Sequence, residues 1–176
     1  MFTLRRAIRG DVPQLRELIP LSVRALSAPW YSREQIEAAL EEVFGVDTQL
    51  IEDGTYLVAE ADGLVGAGGW SRRATLFGGD QRKGGVSDAR LDPATEAARI
   101  RAFYVRPDWA RRGVGRAILA RCEEEAHAAG FRRAELLATL PGVALYSAMG
   151  YEAIGPLETA MRDGLSLPGV RMGKRI

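Results

Sequence analysis

The sequence predicts a mixed α/β fold: a largely antiparallel sheet flanked by helices, with one parallel crossover at its centre. Three observations carry this. Strand patterns stand at both ends of the chain, and an Asp62-Gly63 hairpin signal joins two more in its first half. Between them lies a strand, a glycine turn, a helix and a second strand, over residues 100–139. Strands joined through a helix pair parallel. The chain has 176 residues, 47 % of them hydrophobic and 27 % charged, which suits one domain spanning 1–176.

Residues 2–7 alternate as an edge strand does. Asp11 then starts a helix with Pro13 in its first turn. Leu15, Leu18, Ile19 and Val23 form its apolar stripe, and Pro20 is expected to disturb it. The chain breaks at Ala28-Pro29-Trp30-Tyr31. Ser32 caps a second helix, residues 33–43, with Gln35 at the third helical position as in a capping box. Residues 55–61 and 64–70 are strands about the Asp62-Gly63 turn. Gly66, Gly68 and Gly69 point to a bulge or a close backbone approach. Residues 71–98 form a long connection rich in glycine and arginine, read as an arm over a groove or as a plain flexible excursion.

The central unit begins with the apolar run Ile100-Arg-Ala-Phe-Tyr-Val105, which Pro107 stops. Gly113 and Gly115 open a helix that ends at Gly130, on which Val114, Ile118, Cys122 and Ala126 share one face. A helix start presents unpaired N–H groups and partial positive charge, and glycine lets a ligand approach the backbone. With Arg111, Arg112 and Arg116 beside it, the turn reads as an anion cradle suited to a pyrophosphate. It is not a P-loop, because no Lys-Ser or Lys-Thr follows. It is not a dinucleotide fingerprint, because Ile118 stands where the third glycine belongs. Residues 133–139 form the next strand. A short helix follows Pro141-Gly142 and ends at Gly150. The last strands are 151–154 and 170–176, around a loop containing Gly155-Pro156 and Pro168-Gly169.

R-R-G-V-G-R after a strand ending F-Y-V resembles the acetyl-CoA motif Q/R-x-x-G-x-G/A of the GCN5-related N-acetyltransferases (GNAT family). Gly113 and Gly115 fill its two small positions, and Ala110 stands where Gln or Arg is usual. A-L-Y-S-A-M-G-Y, residues 144–151, is similar to the family's tyrosine helix, with Thr139 at the pantetheine-contacting position seven residues before Tyr146. The resemblance covers residues 100–151 and implies the acyl-CoA N-acyltransferase fold. It also implies direct transfer from acetyl-CoA to an amine acceptor, a small molecule or a peptide.

The resemblance gives each residue an expected role. Phe103, Tyr104 and Val105 pair with the pantetheine arm and polarise the thioester carbonyl. Arg111, Arg112, Gly113, Val114, Gly115 and Arg116 take the pyrophosphate. Tyr146 assists the departing thiolate. Trp30 and Tyr31 either cover the end of the core or, as the resemblance implies, wall the acceptor site; Trp70 and the 71–98 arm are expected to border the acceptor groove with them because they connect elements at the same end of the sheet. The general base is left open among Glu96, Glu135 and a water chain. A non-catalytic CoA-binding domain and a longer-chain acyltransferase are the alternatives, and a homodimer is compatible with the resemblance.

Composition excludes other classes. A net charge of +1 gives no drive toward nucleic acid or membrane. The single Cys122 rules out an internal disulfide and suits the cytoplasm. The single His127, on a polar helix face, supplies neither a Ser-His-Asp triad nor a zinc site. No apolar run reaches a membrane span, and the first ten residues lack a signal-peptide core.

Overall fold

A computed structural model describes residues 1–82 and 88–176; Lys83, Gly84 and Gly85 of the long connection lie outside them. The chain runs β1 (Thr3–Arg6), α1 (Val12–Ser27), α2 (Arg33–Glu42), α3 (Thr48–Glu52), β2 (Tyr56–Ala61), β3 (Gly63–Ser71), β4 (Ala98–Val105), α4 (Val114–Ala128), β5 (Arg133–Thr139), α5 (Val143–Ala148), β6 (Glu152–Ala160) and β7 (Ser166–Arg175). The seven strands form one sheet in the order β1-β2-β3-β4-β5-β7-β6. Every neighbouring pair is antiparallel except β4 with β5. That matches the expected mixed sheet with one central crossover.

Two cores lie on the two faces. On one, α1 and α2 bury Leu15, Ile19, Ile36 and Ala39 against Tyr56, Val58 and Tyr104. On the other, the α4 stripe of Val114, Ile118, Cys122 and Ala126 is no more than 1 % exposed, packed on Ile100, Leu136 and Met172. The pairing is shortest between the parallel strands. β4 and β5 pair only at Ala98 with Ala134 and Arg99 with Glu135, and beyond these the strands part.

Several local expectations need correction. α1 runs through Pro20. The proline removes one helical hydrogen bond, yet Leu18, Ile19 and Val23 on both sides of it are buried and hold the helix to one course. Asp11 precedes α1 without capping it. Its carboxylate instead takes the Arg5 guanidinium at 2.8 Å through each oxygen and accepts from the Ile8 amide. The capping box of α2 forms as read, Gln35 N–H to Ser32 Oγ and Ser32 N–H to Gln35 Oε1. α3 was not anticipated. β6 and β7 are longer than expected, because Pro156 and Pro168 sit inside them. β6 is a sheet edge, and Pro168 lies just beyond Gly169, where β5 stops pairing with β7. At both sites a missing N–H costs little.

Candidate active site

The site is built where β4 leaves its neighbour. Tyr104 pairs with Ala67 and Arg101 with Gly69, so Ala102 and Phe103 together oppose Gly68. Ala102 adopts φ +60°, and the pair forms a bulge that bends the strand. Gly68 permits this: a Cβ there would lie 2.7 Å from the Phe103 ring. Gly66 likewise leaves room for Val114, whose Cγ1 would be 2.5 Å from an added Cβ. The glycines of β3 are therefore close-approach positions, as expected. Tyr56 Oη donates to the Ala102 carbonyl at 3.2 Å and pins the bulge.

The bulge sends Phe103 to the α4 side, edge-on to Tyr146 at 6.2 Å, and Tyr104 to the opposite face, edge-on to Phe44 at 6.4 Å. Of the three residues expected to serve the pantetheine arm, Val105 is partly committed: its N–H donates to Ser22 Oγ of α1.

The glycine turn takes the expected form. Arg111 has φ +62° and Gly113 φ +84°, and the first bond of α4 runs from the Ala117 N–H to the Gly113 carbonyl. The amides of Val114, Gly115 and Arg116 precede that bond, free of helical partners. Nothing lies within 4 Å of where a Gly113 Cβ would be, so the cradle is open there. Arg111, Arg112 and Arg116 are exposed, and none forms an ion pair with a described residue. Arg112 lies over Trp109 at 5.4 Å. Beyond their amides, Val114 and Gly115 also shape the packing under the turn. The Val114 side chain is core, and a Cβ at Gly115 would meet Leu145 at 3.1 Å, so glycine there lets α4 close on α5.

Tyr146 is 8 % exposed, between Phe103 and Tyr151. Its hydroxyl has no hydrogen-bond partner among the described residues. Burial, then the nearby Cys122 thiol, pushes its phenol above the usual value of 10. With Thr139, Ile100, Phe103, Leu137 and Ala138 it lines a groove of about 690 Å³ of open space between the parted strands. Residues from the other face, Val43, Phe44, Leu76, Phe77, Leu167 and Pro168, line the same groove.

The three aromatic residues expected beside the acceptor are placed otherwise. Trp70 is 2 % exposed on the α4 face, edge-on to Phe131, with its Nε1–H donating to Glu125 at 3.2 Å. Strand alternation puts it on the α4 face, and it is not among the residues that line the groove. Trp30 stays exposed on the turn between α1 and α2, and Tyr31 points inward beneath the groove. The Tyr31 hydroxyl donates to the Pro168 carbonyl at 2.7 Å and accepts from the Leu140 N–H at 2.8 Å. It thereby ties the end of β5 to the start of β7.

A model of the acetyltransferase (GNAT) family matches residues 16–151. The chain belongs to the GNAT family of acetyltransferases. Comparison with curated protein sequences finds no match. Solved structures share the fold. A GCN5-related N-acetyltransferase from Rhodopseudomonas palustris aligns with TM-score 0.72 at 22 % identity, over 99 % of this chain and 95 % of that one. The PaiA N-acetyltransferase of Thermoplasma acidophilum, solved with coenzyme A, gives 0.65 at 15 % identity over 100 % and 99 %. YncA of Salmonella typhimurium, a putative acetyltransferase solved with acetyl-CoA, gives 0.64 at 20 % identity over 99 % and 94 %.

Within this GNAT chain, the structure adds a residue the sequence reading passed over. Arg101 is buried beside the groove, its Nε 2.9 Å from Asp47 Oδ2 and its Nη1 donating to the Thr75 carbonyl at 2.6 Å. An arginine inside an apolar strand was the available signal. The contact also fixes the arm, whose base is further held by Arg73 on Asp53 and by the Leu91 N–H on the Arg72 carbonyl. The described arm is thus anchored, and Leu76, Phe77 and Gly78 reach the groove.

Neither carboxylate considered as general base lines the groove. Glu96 accepts from the Asp92 amide in an exposed turn, and Glu135 is held by Arg99 and Arg171. Cys122 is fully buried and its thiol is pushed up by burial, so it is a core group. His127 is exposed beside Arg132.

Proposed function

We propose that the domain spanning residues 1–176 transfers the acetyl group of acetyl-CoA directly to a primary amine of a small molecule or protein. One observation carries the reading. The groove opened by the parting of β4 and β5 holds a buried tyrosine hydroxyl with no partner among the described residues, and β4 leads into a glycine-opened helix start lined by arginines that form no ion pair with a described residue.

The pyrophosphate of the donor would sit over residues 111–116, where helix-start amides, Gly113 and three guanidinium groups converge. The pantetheine arm would follow β4 past Thr139, with backbone donors of the bulged strand polarising the thioester carbonyl. The amine attacks the carbonyl carbon, the carbon–sulfur bond breaks, and Tyr146 hands a proton to the departing thiolate. A phenol whose affinity for its proton is raised by burial stays protonated at neutral pH and is available as a donor. A buried, unreactive Cys122 suits the reducing cytoplasm, where we expect the protein to act.

The test is turnover of acetyl-CoA against an amine panel, read by free thiol release and by the mass of the acetylated product. We expect thiol release that depends on both substrates. CoA binding by calorimetry without thiol release on any amine would make the protein a CoA-binding module instead.

A further inference from the structure

The acceptor end of the groove has a chemical character of its own. Its apolar walls are Val43, Phe44, Leu76, Phe77, Leu167 and Pro168, with Arg101 and Thr159 the charged and polar residues beside them. Val43 and Leu167 are buried, and the other four apolar residues are half-buried. No described Asp or Glu lines the groove. Asp47 faces Arg101. Glu42 of α2 accepts from the Arg162 amide, Asp80 of the arm accepts from the Thr48 amide, and Glu158 of β6 accepts from Ser166 Oγ. Arg82 lies over the Phe77 ring at 4.9 Å and adds positive charge just behind that wall. The phenols near by are committed or hindered: Tyr31 bridges Leu140 and Pro168, Tyr56 donates to Ala102, and Tyr104 is buried. Residues 83–87, Lys-Gly-Gly-Val-Ser, contain no carboxylate.

We infer that the acceptor is a weakly basic primary amine carried on an apolar body, and that it enters uncharged. This rests on the acetyl-transfer reading above and adds to it the class of substrate. An ammonium ion at this end would lose its hydration without a carboxylate among the described lining residues, and it would meet the positive charge of Arg101, a costly arrangement. An apolar substituent would instead cover the six wall residues and stabilise the complex by the area it removes from water.

Proton balance points the same way. In R–NH2 plus CH3CO–S–CoA, the nitrogen lone pair forms the N–C bond, the C–S bond breaks, and its electron pair leaves on sulfur. The product amide must lose one N–H proton and the thiolate must gain one. A neutral amine brings the one proton that sulfur needs, relayed through the Tyr146 hydroxyl. An ammonium ion would bring a second, which would have to leave through water, since neither Glu96 nor Glu135 is at the groove to take it. α-Amino groups, with pKa near 8, are neutral at pH 7 on the order of 10²-fold more often than lysine-like amines of pKa near 10.4.

The experiment uses the full chain with acetyl-CoA and four amines: phenylalaninamide, glycinamide, 2-phenylethylamine and spermidine. At pH 7 we expect phenylalaninamide to give the highest kcat/KM. Glycinamide, lacking the ring, and 2-phenylethylamine, more basic, should each fall at least tenfold below it, and spermidine lower still. Raising the pH should recover 2-phenylethylamine, with the break in its profile following the amine. Phe77→Ala should narrow the ratio between phenylalaninamide and glycinamide. Spermidine or glycinamide matching phenylalaninamide would overturn the inference, as would one shared pH break for all amines. Turnover confined to spermidine would sink it while leaving the transfer reading intact. Thiol release with none of the four would overturn the transfer reading, and this inference with it.

Discussion

Tyr146 combines three properties that a proton donor needs. It borders the groove, its hydroxyl is not spent on another residue, and burial keeps it protonated. Tyr146→Phe keeps the ring between Phe103 and Tyr151, so stability should change by less than about 1 kcal/mol. If the hydroxyl acts only as the thiolate leaves, kcat should fall at least about tenfold while CoA affinity is unchanged. Steady-state kinetics beside calorimetry reads both. The pH profile follows from the direction of the shift. A phenol raised above its usual value of 10 cannot lose its proton below that pH, so kcat should show no falling limb from Tyr146 up to about pH 10. Trp70 and Tyr31 mark the limit of what single residues reveal. Composition and position show that an aromatic side chain buries well, but not which face it meets. Trp70 finds Glu125, and Tyr31 finds Leu140 and Pro168, partners more than 50 residues away in sequence. Tyr31→Phe should leave the Leu140 amide unsatisfied, cost about 1–3 kcal/mol, and raise the KM for the amine more than for acetyl-CoA. Trp70→Phe should lower Tm without separating the two KM values.

At the scale of elements, glycine placement carries most of the site. Gly113 has positive φ and open space around it, so Gly113→Ala should strain the turn by about 1–2 kcal/mol and put a methyl group where phosphate oxygens are to lie. We expect CoA affinity to fall at least tenfold, with weaker salt dependence of what remains. Gly68→Ala acts at the other end. Its Cβ would collide with the Phe103 ring, shifting the bulge and the ring that abuts Tyr146, so kcat should drop with CoA affinity largely retained. The strand, turn and helix of this unit were legible because period-2 and period-3.6 patterns meet at two glycines. The four-residue stripe of α4 is buried as read. β6 and β7 reach past Pro156 and Pro168, which the sequence alone places in a loop. An edge strand and a stretch beyond a neighbour's last pair tolerate proline, and neither condition is visible before the sheet order is known.

For the whole molecule, the order of elements foretold the mixed sheet, while the parting of β4 from β5 did not show. Pairing partners are a tertiary property, and only the register at Ala98 and Arg99 reveals where the strands separate. The sheet's first corner is held by Arg5, which binds Asp11 and Glu60. Hydrogen bonds from Arg5, then from the Ile8 amide, outweigh burial and hold the Asp11 carboxyl below its usual value of 3.8. A depressed carboxyl stabilises the fold above the ordinary carboxylate range, and that contribution is lost as pH falls through the depressed value. Asp11→Asn should therefore cost about 1–2 kcal/mol at pH 7, reduced because Arg5 is 35 % exposed, and progressively less as pH falls below the ordinary carboxylate range, by urea denaturation at each pH. The claim that unites the residues, the glycine turn and the parted strands is that acetyl-CoA lies in this gap. A crystal structure of the chain with CoA measures it directly. The expected result is pyrophosphate oxygens on the amides of residues 113–116 and the thiol sulfur within about 3.5 Å of Tyr146 Oη, between β4 and β5. CoA bound outside that gap, or with its sulfur turned away from Tyr146, would contradict the account.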